Sequence, residues 1–195
     1  MLRLKDVRAE GFGPVSLALE AGECLGLRGV SGSGKTRLLR LIADLDEHQG
    51  EITLMGRNQS EHSAMQWRRQ VGYIPSESQW WGDRVRDSFQ SAPDSARLAL
   101  PEGILDQPLT QLSSGERQRL AVLRQLDCDP SVLLLDEPSA NLDEFTTGLL
   151  ETLLMDWLLE GDRAMIWISH DNDQLGRISH RVLTMEQGRL AGDRQ

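Results

Sequence analysis

Apolar and polar residues alternate from Leu2 to Val7 and again from Val15 to Leu19, the period-two pattern of strands with one face in water. Ala21-Gly22-Glu23 then turns the chain into Cys24-Leu25-Gly26-Leu27-Arg28, a short apolar run that predicts a buried strand. Over 37–43 the spacing becomes helical. Strands are expected at Gly50–Leu54 and Val71–Ile74, the latter stopped by Pro75, with a polar helix over 63–70. From 76 to 111 the pattern weakens. A helix is expected over 84–91, and Pro93, Pro101, Gly103 and Pro108 break the chain beyond it. The stretch 114–128 carries Leu120, Leu123 and Leu126 at helical spacing and closes at Asp129-Pro130. Val132–Leu135 and Ala164–Ile168 read as buried strands, 143–160 and 171–178 as helices, and Arg181–Met185 as a last core strand. Gly188 opens a short terminal hairpin arm. Strands alternating with helices predict an α/β sandwich with a mainly parallel sheet, and the first two strands predict a small antiparallel sheet beside it.

Between the strand at 24–28 and the following helix lies Gly29-Val30-Ser31-Gly32-Ser33-Gly34-Lys35-Thr36, which fits G-x-x-x-x-G-K-[ST]. Glycines let the backbone curl so that several N–H groups point into one concavity. The helix behind aims its free N–H groups and positive dipole end at the same place. Lys35 adds a full charge for β- and γ-phosphates, and Thr36 offers a hydroxyl to Mg²⁺. The chain has two lysines, Lys5 and Lys35, and arginine does its other cationic work. The alternative for this stretch is a flexible Gly/Ser turn.

Two later strands end in reactive groups. Val132–Leu135 runs into Asp136-Glu137, at the carboxyl end of a strand, where ligands of α/β sheets sit. Asp136 is placed to hold Mg²⁺ through water, and Glu137 to orient an attacking water and take its proton. Trp167-Ile168 leads to Ser169-His170-Asp171, where His170 can donate a hydrogen bond to a γ-phosphate oxygen. Leu112-Ser113-Ser114-Gly115-Glu116 opens the helix at 114–128, with Ser113 as its cap. That start is either an ordinary cap or a second phosphate clamp.

The 195 residues suffice for one core, so a single domain is expected. A net charge of −9 and a pI near 4.9 argue against a nucleic-acid partner. Cys24 and Cys128 show no metal or disulfide spacing. Met1–Asp6 does not read as a secretory signal, and no apolar run approaches the roughly 18 residues of a membrane span. A cytoplasmic location is expected.

These pieces, in this order, resemble the ATP-binding subunits of ABC transporters over nearly the whole chain. Gly29–Thr36 corresponds to Walker A, Leu112–Glu116 to a variant of the signature LSGGQ, and Leu135–Pro138 to Walker B with its adjoining glutamate. Ala140–Asp143 corresponds to the D-loop and Ser169-His170 to the H-switch. Segments 82–85 and 167–171 are also similar to small bacterial metal- or iron-export ATPase subunits.

The resemblance implies a P-loop NTPase three-layer sandwich with a small antiparallel β subdomain. Residues 1–75 and 128–195 would form the core and 76–127 a reduced helical subdomain. It also implies a head-to-tail homodimer that closes on ATP and Mg²⁺. Ser113, Ser114 and Gly115 of one copy, with Asp143, would face the nucleotide held by Lys35 of the other. A membrane permease would couple to the cycle, keeping the subunit peripheral on the inner face of the membrane. Three departures stand out. Ser76 takes the place of the glutamine that reaches Mg²⁺, Phe12 is the sole nearby candidate to stack on adenine, and Ser114 and Glu116 alter the signature. Trp80-Trp81 falls where the permease groove lies in the family, and packing between subdomains is the equal alternative. Trp157 and Trp167 are expected in the core, and Trp67 is left open. A non-transport ABC ATPase and a weakly hydrolysing dimerisation switch are the competing functions.

Overall fold

The computed structural model describes residues 1–191. Its main sheet contains β3 (Cys24–Arg28), β6 (Val71–Ile74), β7 (Val132–Asp136), β8 (Ala164–Ile168), β9 (Arg181–Glu186) and β10 (Arg189–Ala191). The spatial order is β10-β9-β3-β8-β7-β6, parallel throughout except for the antiparallel β9–β10 hairpin. A second sheet, antiparallel, has the order β2-β1-β4-β5, from β1 (Leu2–Ala9), β2 (Phe12–Leu19), β4 (Gln49–Leu54) and β5 (Arg57–Asn58). Thus β4, which follows α1, joins the antiparallel sheet and pairs with β1, Ile52 opposite Leu4 and Leu54 opposite Leu2.

The period-two geometry of the central strands separates two cores. Val132, Leu134, Ile166 and Ile168 point into a cluster shared with the antiparallel sheet and with α1 (Lys35–Ile42). Leu133, Leu135, Met165 and Trp167 point to the opposite face, into a cluster with α3 (Ser114–Leu126), α4 (Glu144–Leu159) and α5 (Asn172–Ile178). A sheet buried on both faces must be apolar at every position, which is why these runs do not alternate. The result is three layers. Trp157 and Trp167 are core residues, as expected.

The helix expected over 84–91 is one 3₁₀ turn, Val85–Ser88. The backbone N–H groups of Gln90 and Ser91 are drawn instead to the Asp127 carboxylate, at 2.6 and 3.2 Å, so the helix cannot propagate. Three further 3₁₀ turns, at 95–98, 104–106 and 109–111, carry the chain to α3. No helix among the described residues is long and apolar enough to cross a membrane.

Trp67, on α2 (Ala64–Gln70), is fully buried and donates its indole N–H to the carbonyl of Ile42 at 2.7 Å. That carbonyl lies at the end of α1, so the tryptophan pins the helix behind the glycine loop. Trp67→Phe keeps the apolar bulk and leaves a buried carbonyl poorly paired. It is expected to destabilise the protein by about 1–3 kcal/mol in chemical denaturation.

Candidate active site

Three neighbouring parallel strands, β3, β8 and β7, end at one edge of the sheet. The loop after β3 owes its path to glycine. Gly29, Gly32 and Gly34 have φ of 151, 76 and 108°. A Cβ at Gly29 would collide with the Met185 carbonyl, and one at Gly34 would come within 3.0 Å of the Phe12 ring. Phe12 is therefore a floor beneath the loop. Its ring is buried, and the Arg37 guanidinium lies 5.9 Å over its centre, an arrangement that does not offer it to a base.

Lys35 is buried, and its ammonium donates to the carbonyls of Gly29 at 2.7 Å and Val30 at 3.2 Å. The loop thus holds its own cation in place. An open cavity of about 650 Å³ lies over it, lined by Gly32, Lys35, Thr36, Arg40, Glu137 and His170 among others. Sequence spacing alone assigned Gly32, Lys35, Thr36, Glu137 and His170 to a common site, and the fold brings them together.

Asp136, 2% exposed, accepts a hydrogen bond from the Tyr73 hydroxyl at 3.2 Å, and the Thr36 hydroxyl also acts to stabilise its charged form. Burial pushes its carboxyl above the ordinary range, and the two hydroxyls act in the opposite sense. The Tyr73 hydroxyl is itself pushed up, by burial and then by the Asp136 charge, so it stays a donor. Glu137 comes next with a left-handed backbone, φ 53°, and its N–H donates to the Ile168 carbonyl at 3.1 Å. This outlier turns the carboxylate toward His170, whose Nε2 lies 3.0 Å from Glu137 Oε1. Behind the pair, buried Gln174 bonds Ser139 and Glu151, which also accepts from Arg177. This braces the loop after Glu137 against the helix after His170.

The other predicted residues lie apart from this cavity. Ser113 caps α3 in a reciprocal box with Glu116, its hydroxyl 2.7 Å from the carboxylate. These bonds, first from the Ser113 backbone and then from its hydroxyl, hold the Glu116 carboxyl below the usual range. Ser114 lines a separate cavity of about 660 Å³ with Ser76, Trp80, Arg117, Gln118 and Asn141. The structure therefore does not bring Ser76 to the Lys35 cavity. Gly115 is a close-approach position, because a Cβ there would sit 3.2 Å from the Asn141 carbonyl. Asp143 caps α4, with both carboxylate oxygens taken by Thr146.

The donor set suits magnesium. Thr36 and Asp136 are hard oxygen donors, and the buried Ser33 hydroxyl has no hydrogen-bond partner among the described residues. Those residues hold no cluster of three His, Cys, Asp or Glu side chains able to cage a metal. Such an ion would therefore share its shell between these oxygens and a nucleotide's phosphates.

Sequence reasoning missed Tyr73, Arg40, Asp46 and Gln174. Arg40 grips Asp46 through two bonds of 2.8 and 2.7 Å at the cavity wall. Their roles depend on the order of strands and helices, which no local spacing reveals.

A glycine loop, a buried carboxylate and a glutamate paired with a histidine, at the ends of β3, β7 and β8 of one parallel sheet, are the features of a P-loop NTPase fold. A family description, ABC transporter, matches residues 12–140. The chain belongs to the ABC transporter family and corresponds to its nucleotide-binding domain. It is 32% identical to the probable iron export ATP-binding protein FetA of Escherichia coli, over 88% of this chain and 83% of that protein. It is also 32% identical to a sulfate/thiosulfate import ATP-binding protein, CysA 1 of Agrobacterium fabrum, over 94% of this chain and 58% of that one. The chain thus spans somewhat over half of that longer relative. Among solved structures, the ATP-binding cassette MJ0796, in a post-hydrolysis dimer with ADP and Pi, superposes with a TM-score of 0.85. That match has 22% identity and covers 98% of this chain and 97% of MJ0796. A bacterial Atm1-family ABC exporter with ATP bound superposes at 0.82, with 24% identity, over 98% of this chain and 38% of the exporter.

The Arg40–Asp46 pair yields a pH prediction. The Arg40 hydrogen bond lowers the Asp46 carboxyl below its ordinary value, so its contribution is present above the ordinary carboxylate range. It is lost as pH falls through the lowered value. Both side chains are partly exposed, so Asp46→Asn is expected to cost only about 0.5 kcal/mol at neutral pH. In denaturation curves taken at falling pH, the variant and the parent are expected to converge as the pH drops through the lowered Asp46 value.

Proposed function

We propose that this chain binds and hydrolyses ATP and powers a membrane transporter by closing head-to-tail with a second copy on MgATP. One observation carries the reading. The phosphate loop and the start of α3 are both built to meet anions, yet their residues line separate cavities of the same chain. A nucleotide on Lys35 is open on the side that faces away from the sheet. A second copy turned end for end would cover it with Ser113, Ser114 and Gly115. Val30 and Phe145, 76% and 70% exposed, lie in the phosphate loop and on the first turn of α4 and suit burial at such a contact. MJ0796, similar in fold and solved as a dimer with ADP and Pi, supports a pairing of two copies.

The chemistry derives from the side chains. Lys35 and the N–H groups of Gly29–Thr36 bind the phosphates and align the γ-phosphorus. Thr36 and Asp136 would hold Mg²⁺, which when bound offsets charge on the β- and γ-oxygens. Glu137 orients a water and takes its proton as the oxygen attacks phosphorus and the bond to the ADP oxygen breaks. His170 shares its position with Glu137 and donates to a γ-phosphate oxygen. It thereby links the presence of that phosphate to the α5 side of the site. Hydrolysis leaves ADP and phosphate repelling one another, which opens the pair.

The cavity holding Ser76 and Trp80 is the proposed seat of the permease. The two tryptophans divide the roles weighed for them. Trp80 packs against the second core, while Trp81 is 71% exposed. Arg124 stacks on both rings, 4.3 Å from Trp80 and 5.7 Å from Trp81, and holds the exposed indole in a fixed pose. FetA and CysA differ in cargo and direction, so cargo choice is assigned to the membrane partner.

Two substitutions test the reading. Lys35→Ala is expected to abolish ATP binding, whereas Glu137→Gln binds normally and loses turnover by about 10²-fold or more in steady-state assays. A Glu137→Gln chain with parental turnover removes Glu137 from its role. Beside the proposed permease cleft, Trp81→Ala is expected to keep ATP binding and lose co-purification with the permease from membranes. Undiminished association overturns the assignment of this surface.

A further inference from the structure

The sequence expectation placed Ser76, in the segment that follows β6, at the metal. The structure puts Ser76 in the other cavity. The β6 side chain that does reach the phosphate site is Tyr73, three residues earlier. Its ring packs against the first core cluster, and its hydroxyl donates to Asp136 Oδ2 at 3.2 Å. Asp136 is thereby held by a donor from β6, while Thr36 on α1 favours its charged form. Without that donor the carboxylate is free to rotate about its Cβ–Cγ bond. With the Tyr73 hydroxyl on one oxygen, the lone pairs of the other are fixed in direction.

Register explains the contact. Tyr73 stands opposite Leu134 on the parallel neighbour β7, two residues before Asp136 on the same strand face. A tyrosine is long enough to span that offset, and phenylalanine is not. Arg40 and Asp46 of the cavity wall also interact electrostatically with the Tyr73 hydroxyl, in opposite senses. They bond each other through both carboxylate oxygens, and the hydroxyl bonds Asp136.

We infer that Tyr73 is a positioning residue for Asp136, orienting the carboxylate that would hold magnesium through its water shell. The inference rests on the ATP-binding reading above. It assigns β6 a role at the carboxylate through Tyr73. Because Tyr73 lies three residues before Ser76 of the Ser76–Trp80 cleft, the same strand leads from the metal carboxylate to the surface proposed for the permease.

The test is equilibrium binding of a fluorescent ATP analogue across a magnesium titration, with an EDTA control. It compares the parent, Tyr73→Phe, Asp136→Asn and the double variant. Tyr73→Phe removes a single oxygen, and thermal unfolding confirms its fold. The half-saturating magnesium concentration is expected to rise on the order of tenfold in Tyr73→Phe, the scale of outer-shell partners of metal ligands. Binding in EDTA is expected to stay unchanged. In the Asp136→Asn background the same substitution is expected to add nothing, because its effect passes through the carboxylate. An unshifted midpoint in Tyr73→Phe overturns the inference, as does a shift of equal size in the Asp136→Asn background. A parent that binds no nucleotide with or without magnesium instead overturns the ATP-binding reading, and with it this inference.

Discussion

A buried ammonium held by backbone carbonyls is the constraint on which the site depends. Lys35 cannot sit under the loop unless its charge finds oxygen, and the carbonyls of Gly29 and Val30 supply it. That requires the loop to curl back on itself, which only glycines at positive φ allow. The curl in turn requires a close approach to Met185 on β9 and to Phe12 on β2, neither of which leaves room for a side chain at Gly29 or Gly34. Both sheets therefore converge on the loop, and α1 behind it is tied down by Trp67. A ligand phosphate arriving here meets a charge and a set of N–H groups already in place, so little ordering remains to oppose binding.

The second consequence concerns strand order. Because β3, β8 and β7 are neighbours, the loop, His170 and Asp136-Glu137 meet without any long connection. The same parallel order sends α3 to the other face of the sheet, into the second core cluster. The anion-seeking start of that helix is thus excluded from the cavity that its own chain builds. Ser113 meanwhile satisfies itself with Glu116, a bond that a phosphate oxygen would have to compete with or share. The geometry that gives a single copy a strong cradle denies it a lid.

Much of this is legible in the chain because it is local. The glycine spacing of 29–36, the apolar runs ending at Asp136 and Ile168, and the serine cap at Ser113 each declare themselves within ten residues. The features that escape a sequence reading depend on pairing between distant segments. Nothing in Gly50–Leu54 says that its partner is β1, and nothing in Val71–Ile74 says that Tyr73 reaches Asp136 across β7. The stretch 76–111 is unreadable for a different reason. Its backbone donors are claimed by side chains such as Asp127, so short 3₁₀ turns replace the expected helix. Proximity in sequence assigns Phe12 to the nucleotide, whereas packing under Gly34 decides where its ring goes.

The most direct measurement of the central claim is the mass and nucleotide content of the Glu137→Gln chain in MgATP, by light scattering coupled to size exclusion. The account predicts a particle of two chains carrying two nucleotides. It also predicts that adding Ser113→Arg returns single chains that still bind ATP. A Glu137→Gln chain with Ser113 intact that elutes as a single copy with its nucleotide contradicts it, and so does a dimer indifferent to Ser113→Arg.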